Sequence, residues 1–273
     1  MSLLKSNKLI VALALTALLV SGCAAPSAHH HHDSMPSPDE SSLSDASAAP
    51  EGGTFLTSPI EQNILDLDFV DATGEMITLG DFKGKYIVLA NFLTSCQEVC
   101  PMTTANLRVI ADRVEKAGLS DQIAVIEISV DGPRDTPERM SAYQALFGAN
   151  NWTMASGTSE NQDQLWNYFG VPPERMDYTE EQQKNFPPDW QTGETSTYDM
   201  MHSDLVMIID PEGNWRWLDL GHPATIDGKV PDKLRAYLND EGIEHLENTT
   251  SEDWTVKGVL AALSQLTGSE ISL

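Results

Sequence analysis

From about residue 60 the chain switches between two hydrophobic periods, and the switching predicts strands and helices in alternation. Leu65 to Val70 and Met76 to Leu79 flank Asp71-Ala72-Thr73-Gly74, a turn signal that predicts a hairpin. Lys85 to Leu93 is almost entirely apolar, as expected of a strand covered on both faces. Met102 to Ala117 carries Leu107, Ile110 and Val114 at helical spacing, with Gly118 as the stop. Ile123 to Val130 predicts a second β-branched strand, and Thr136-Pro137 opens a helix running to Phe147. Trp152 to Met154 reads as a short strand and Glu160 to Phe169 as a helix. Leu205 to Asp210 and Trp215 to Leu220 flank the tight turn Pro211-Glu212-Gly213-Asn214. Val230 to Asn239 and Val256 to Leu266 have the pattern of closing helices. The fold class is therefore α/β over residues 59–273, with no internal repeat.

The first 58 residues follow a different pattern. Residues 1–22 hold Lys5, Lys8, no acid, and an apolar run from Leu9 to Val20, the layout of an export signal. That run is too short to span a bilayer, which needs about 20 apolar residues. Val20-Ser21-Gly22-Cys23 resembles the lipobox of bacterial lipoproteins. The resemblance implies that Cys23 becomes lipidated and N-terminal, and that the chain is exported and lipid-anchored on the outer face of the bacterial cytoplasmic membrane. Residues 23–58 contain no Lys or Arg, several acids and much Ser, Ala, Pro and Gly, so they are expected to form a disordered tether. Its tract His29-His30-His31-His32 offers imidazoles for copper, nickel or zinc, without a fixed geometry.

Charge narrows the function. With 41 acidic against 16 basic residues the net charge is −25, which repels phosphate backbones and argues against nucleic acid as a partner. Three cysteines are too few for a disulfide-stapled scaffold. Two of them lie in Cys96-Gln97-Glu98-Val99-Cys100-Pro101, where the buried strand hands over to the first long helix. Ligands gather at such strand ends, and a helix N-terminus favours thiolate. Inside one helix the two Cβ atoms would sit about 5–6 Å apart, wider than the roughly 3.5–4.5 Å a disulfide needs. Pro101 is expected to start the helix and leave Cys96 on the preceding loop, with Cys100 outside helical dihedrals. From there the pair can close as a disulfide or open around a metal ion. A soft two-thiolate site generally wants a third ligand, and His202, ending a long polar stretch just before the strand from Leu205, is the best placed histidine outside the tether. His222 and His245 are each expected to be a surface residue.

Three blocks in order resemble the Sco/SenC family: Cys96-x-x-x-Cys100-Pro101 after a buried strand; Ile128-Ser129-Val130-Asp131-Gly132-Pro133-Arg134-Asp135-Thr136-Pro137-Glu138; and His202-Ser203 before Val206-Met207-Ile208-Ile209-Asp210-Pro211-Glu212-Gly213. The resemblance covers roughly residues 60 to 240. It implies a thioredoxin-like fold with an N-terminal β-hairpin extension and a hairpin or loop insertion carrying the histidine. It further implies that Cys96, Cys100 and His202 bind copper, as Cu(I) or, with an added oxygen ligand, as Cu(II). The expected role is a metallochaperone for the copper centre of a respiratory cytochrome c oxidase. Expected partners are the oxidase copper-site subunit and other copper chaperones or thiol reductases. The alternative is a thiol-disulfide oxidoreductase in which Cys96 and Cys100 are catalytic and Cys96 attacks; a third is a copper sensor or scavenger using His29 to His32 as an extra binding site. Asp131 and Asp135 are expected near the site, in turn and capping roles rather than as ligands. Gln97 stands where the family commonly has proline, which predicts a looser Cys96. Met200 and Met201 offer thioethers beside His202, with ordinary loop packing the other role open to them.

Overall fold

The computed structural model describes residues 46–273 apart from 185, 225–227 and 251. The leader, Cys23 and His29 to His32 lie outside the described residues. The elements in order are β1 (Ser47–Ala48), β2 (Thr54–Pro59), α1 (Gln62–Leu65), β3 (Phe69–Asp71), β4 (Met76–Ile77), β5 (Tyr86–Phe92), α2 (Cys100–Lys116), β6 (Ile123–Ser129), α3 (Pro137–Leu146), β7 (Thr153–Ser156) and α4 (Ser159–Tyr168). They continue with β8 (Glu174–Asp177), α5 (Glu180–Gln183), β9 (Tyr198–Met201), β10 (Leu205–Ile209), β11 (Asn214–Leu220), α6 (Asp232–Arg235), α7 (Asp240–Glu247) and α8 (Val256–Thr267).

One sheet runs β1-β2-β11-β10-β5-β6-β7-β3-β4, parallel within β5-β6-β7 and antiparallel elsewhere. β8 and β9 form a separate antiparallel pair. Val88, Leu89 and Ala90 point alternately to the two faces of β5 and none is exposed, so the sheet is covered on both sides there. Each buried aliphatic side chain of this kind contributes about 1.5–3 kcal/mol relative to exposure. α2 packs on β5 and β6 and against α8, while α3 lies against β7 and β3. This is the mixed α/β, thioredoxin-like arrangement expected, and the β8–β9 pair ending one residue before His202 is the expected hairpin insertion.

Three boundaries differ from expectation. The tether ends earlier than residue 58, because β2 pairs with β11 and Leu56 is buried; the strand-forming run Thr54-Phe55-Leu56-Thr57 is short enough to be hidden in a polar average. α2 starts at Cys100 rather than Pro101, since the Val99 carbonyl already accepts from Met102 N and Thr103 N and the aversion to helical dihedrals before proline is a preference that this first turn overrides. The single helix expected over 230–239 is instead the four-residue α6, followed by α7. The Asn239 side chain accepts from Gly242 N at 2.7 Å and begins a new helix.

Glu127, on β6, is wholly buried under α2 and accepts a hydrogen bond from Thr104 Oγ1 at 2.9 Å through Oε2. Burial pushes its carboxyl up to about 8, against a smaller downward pull from Thr104, so the folded chain carries a protonated Glu127 at neutral pH. The unfolded chain loses that proton near the ordinary glutamate value of about 4.3. Between that pH and about 8 the folded state binds more protons than the unfolded one, so stability falls as pH rises. Urea unfolding at pH 5 and pH 9 should show Glu127→Gln losing this slope, with a relative gain on the order of 3 kcal/mol at pH 9. An unchanged slope would show that Glu127 titrates alike in both states.

Candidate metal centre

Cys96 is half-buried on the loop after β5, and Cys100 is fully buried in the first turn of α2; both thiols are free. Cys96 Sγ accepts from Glu98 N and Cys100 N, each at 3.4 Å. Burial, a hydrogen bond with Cys96, the Cys96 charge and the Asp204 charge all push the Cys100 thiol up, so Cys100 keeps its proton at neutral pH. The pair is therefore asymmetric: one sulfur faces solvent and the other is shielded.

Four residues hold the loop that carries Cys96 by hydrogen bonds. Asp135 accepts from Thr94 N, Thr94 Oγ1 and Ser129 Oγ. Trp190 Nε1 donates to Thr94 O at 2.7 Å, and Tyr237 Oη donates to Ser95 O at 3.2 Å. Asn239 N donates to Gln97 O at 2.9 Å and its side chain to Glu98 Oε1 at 3.1 Å. Gly242 lies so near this backbone that an added Cβ would come within 2.9 Å of Glu98 Cα, so only glycine fits. These bonds brace the segment that the missing proline was expected to loosen. Asp135 and Asp131 do fill structural roles: Asp131 accepts from Tyr198 Oη at 3.0 Å and pairs with Arg134.

His202 reaches the same end of the sheet because β10 runs antiparallel to β5. With Val206 opposite Ala90, the residues just before β10 must arrive where the cysteine loop leaves β5. Asn91, 1% exposed on β5, fixes the arrival. Its Oδ1 accepts from Leu205 N at 3.1 Å, which sets the amide orientation, and its Nδ2 donates to Ser203 O at 2.8 Å and lies 3.2 Å from His202 Nδ1. Nδ1 is also 3.2 Å from Ser203 O. Those contacts occupy Nδ1 and leave Nε2 as the nitrogen for a ligand. Burial lowers the pKa of His202, so the ring is neutral at neutral pH, the form that binds metals. Asp204 joins the two parts: its Oδ1 is 3.9 Å from His202 Nδ1, and its charge acts on Cys100. Burial, with the Glu98 charge adding to it, pushes the Asp204 carboxyl up to about 7.

Among the described residues no three His, Cys, Asp or Glu side chains already close on a point that could hold an ion. The fold thus gathers Cys96, Cys100 and His202 at one sheet end without clasping them. Met200 packs against the core and Met201 is exposed beside His202. Asn91 and Asp204 were missed by sequence reasoning. Asn91 had a signal, as the lone polar residue inside an apolar strand; Asp204 had none beyond its place next to a strand.

A charged pair locks the outer brace. Arg139 forks onto Asp189 at 3.0 and 2.5 Å, and its guanidinium lies 5.1 Å from the Trp190 ring centroid. Burial alone would raise the Asp189 carboxyl, but the Arg139 fork and the amides of Thr192 and Gln191 outweigh it and hold it at about 2. The brace is intact above the ordinary carboxylate range and is lost as pH falls through about 2. Arg139→Ala leaves Asp189 buried and unpaired, which should cost about 3–5 kcal/mol in urea unfolding. It should also speed alkylation of Cys96 at fixed pH. A cost below about 1 kcal/mol would remove the pair from the list of constraints on this loop.

Comparison with known proteins places these features in a lineage. A protein of Stutzerimonas stutzeri named for copper binding is 25% identical over 187 residues, covering 67% of this chain and 81% of its own length. The Bacillus subtilis SCO1 homologue is 25% identical over 114 residues, covering 41% of this chain and 58% of its own. The solution structure of apo Sco1 from Thermus thermophilus is similar with a TM-score of 0.49 and 22% identity, over 78% of this chain and 95% of that one. The SCO1/SenC family model matches residues 61–239, the stretch that runs from α1 through the cysteine loop and His202 to the cap of α7. On that match across well over half its length, the chain belongs to the SCO1/SenC family.

Proposed function

We propose that this chain binds copper through Cys96, Cys100 and His202 and delivers it during assembly of the copper centre of a cytochrome c oxidase. The observation that carries the reading is the convergence of a free cysteine pair and a neutral imidazole at one end of the sheet, brought about by the antiparallel register of β10 on β5. Family membership and a relative named for copper binding support it. Two thiolates and an imidazole form a soft set suited to Cu(I). Copper is the cargo here, so a set that is gathered but not clasped suits both capture and release. Capture must expel the Cys100 proton, which couples uptake to pH. We also assign Cys23 as a lipid anchor that holds the exported chain at the membrane.

A second reading is a thiol-disulfide oxidoreductase that keeps the oxidase cysteines reduced. The asymmetry of the pair favours it, since half-buried Cys96 can attack a partner disulfide and shielded Cys100 can then resolve the mixed disulfide.

Copper titration of the chain with His29 to His32 changed to alanine should find one tightly held Cu(I). Cys96→Ser or Cys100→Ser should abolish tight binding. His202→Ala should weaken it strongly while leaving the Cys96–Cys100 disulfide able to form. Asn91→Ala, which frees the His202 loop, should weaken it by about 10–100-fold. Unchanged affinity in His202→Ala together with lost dithiol exchange would hand the site to the oxidoreductase reading. Membrane retention of Cys23→Ser would refute the lipid anchor.

A further inference from the structure

His222 and His245 are each expected at the surface, and the fold brings them together. His222 follows Gly221 at the end of β11, and His245 lies in α7; their ring centroids are 4.0 Å apart and their planes meet at 51°. Both line a cavity of about 710 Å³ whose wall includes Asp240, Glu241, Glu244 and Asp253 and, among the described residues, no Lys or Arg. His245 Nδ1 is buried and has no hydrogen-bond partner among the described residues. An unspent buried nitrogen costs roughly 1–3 kcal/mol. The same carboxylate that neighbours His202 lies near one of these rings: Asp204 Oδ2 is 4.0 Å from His222 Nε2. At that distance it is near the imidazole without a hydrogen bond to it.

Two imidazoles in an acidic wall form a nitrogen and oxygen set, harder than the Cys96 and Cys100 thiolate pair. Such a set favours a divalent transition ion, and among first-row ions Cu(II) binds most tightly. We propose that this cavity is a second copper site, taking Cu(II) on His222 and His245 with a wall carboxylate or water completing the coordination. Its role as a waiting place for copper bound for Cys96, Cys100 and His202 rests on the reading above; the binding itself does not. The two imidazoles are the part already brought together; among the described residues no third ligand is in place.

The test uses the full chain with His29 to His32 changed to alanine and with Cys96→Ser and Cys100→Ser, so that failure of the cysteine site cannot decide it. Addition of Cu(II) alone should load one ion per chain, and pulsed paramagnetic resonance should show two coupled imidazole nitrogens. His222→Gln and His245→Gln should each lower affinity at least tenfold, with unchanged circular dichroism. The spectrum of the parent needs no substitution in the cavity, so it stands even if a variant misfolds. Absence of bound Cu(II), a spectrum with one imidazole or none, or affinity indifferent to both substitutions would overturn the site. In the chain with Cys96 and Cys100 intact, His222→Gln should slow loading of the cysteine site from Cu(II) with added reductant. Unchanged loading would overturn the waiting role while leaving the site.

Discussion

A single buried amide joins the two halves of the site. Asn91 spends both ends of its side chain on the segment that leads into β10, accepting from Leu205 N and donating to Ser203 O. A polar side chain in a strand covered on both faces is tolerable only when its hydrogen bonds are made. That requirement works in reverse on the histidine loop: were the segment to leave, the amide would be stranded in the core. The position of His202 is thus tied to the cost of an unsatisfied group in the middle of the sheet, and the antiparallel register on β5 sets which strand end it meets.

The cysteine side depends on a different kind of constraint. Its backbone carbonyls and amides are taken up by Asp135, Trp190, Tyr237 and Asn239, which come from three separate stretches of chain. Arg139 ties the loop itself to the Trp190 stretch, donating to Thr94 Oγ1 and to Asp189. A buried ion pair of this sort adds little net stability against an apolar replacement, but losing one partner is costly. It therefore acts as a device for fixing geometry. The histidine side, by comparison, ends in an exposed Met201 and a short two-stranded antiparallel pair.

The strands and long helices were legible because their periods are strong: β5, α2, β6, α3, α4, β10 and β11 stand within a residue or two of where the pattern puts them. The cysteine pair and His202 were legible as residue types beside strand ends, and the family resemblance tied them together. What stayed hidden depends on partners far away in sequence. β2 is a strand because β11 offers it an edge, and α7 begins where it does because Asn239 caps it and Gly242 can approach Gln97. Asn91 and Asp204 are ordinary letters until the sheet aligns them with a histidine. The meeting of His222 and His245 has no local signature, since one belongs to a strand end and the other to a helix that the sequence pattern did not show.

The recognisable family segment stops at Asn239, but the working unit does not. The residues that press on Gln97 and Glu98 continue through Gly242, and α8 lays Val259 and Leu263 into the core against α2. Tyr86 Oη donates to the Leu266 carbonyl, so even the first residue of the central strand is fastened by the last helix. A fragment excised at the family limit would keep Cys96, Cys100 and His202 and lose the scaffolding behind the two cysteines.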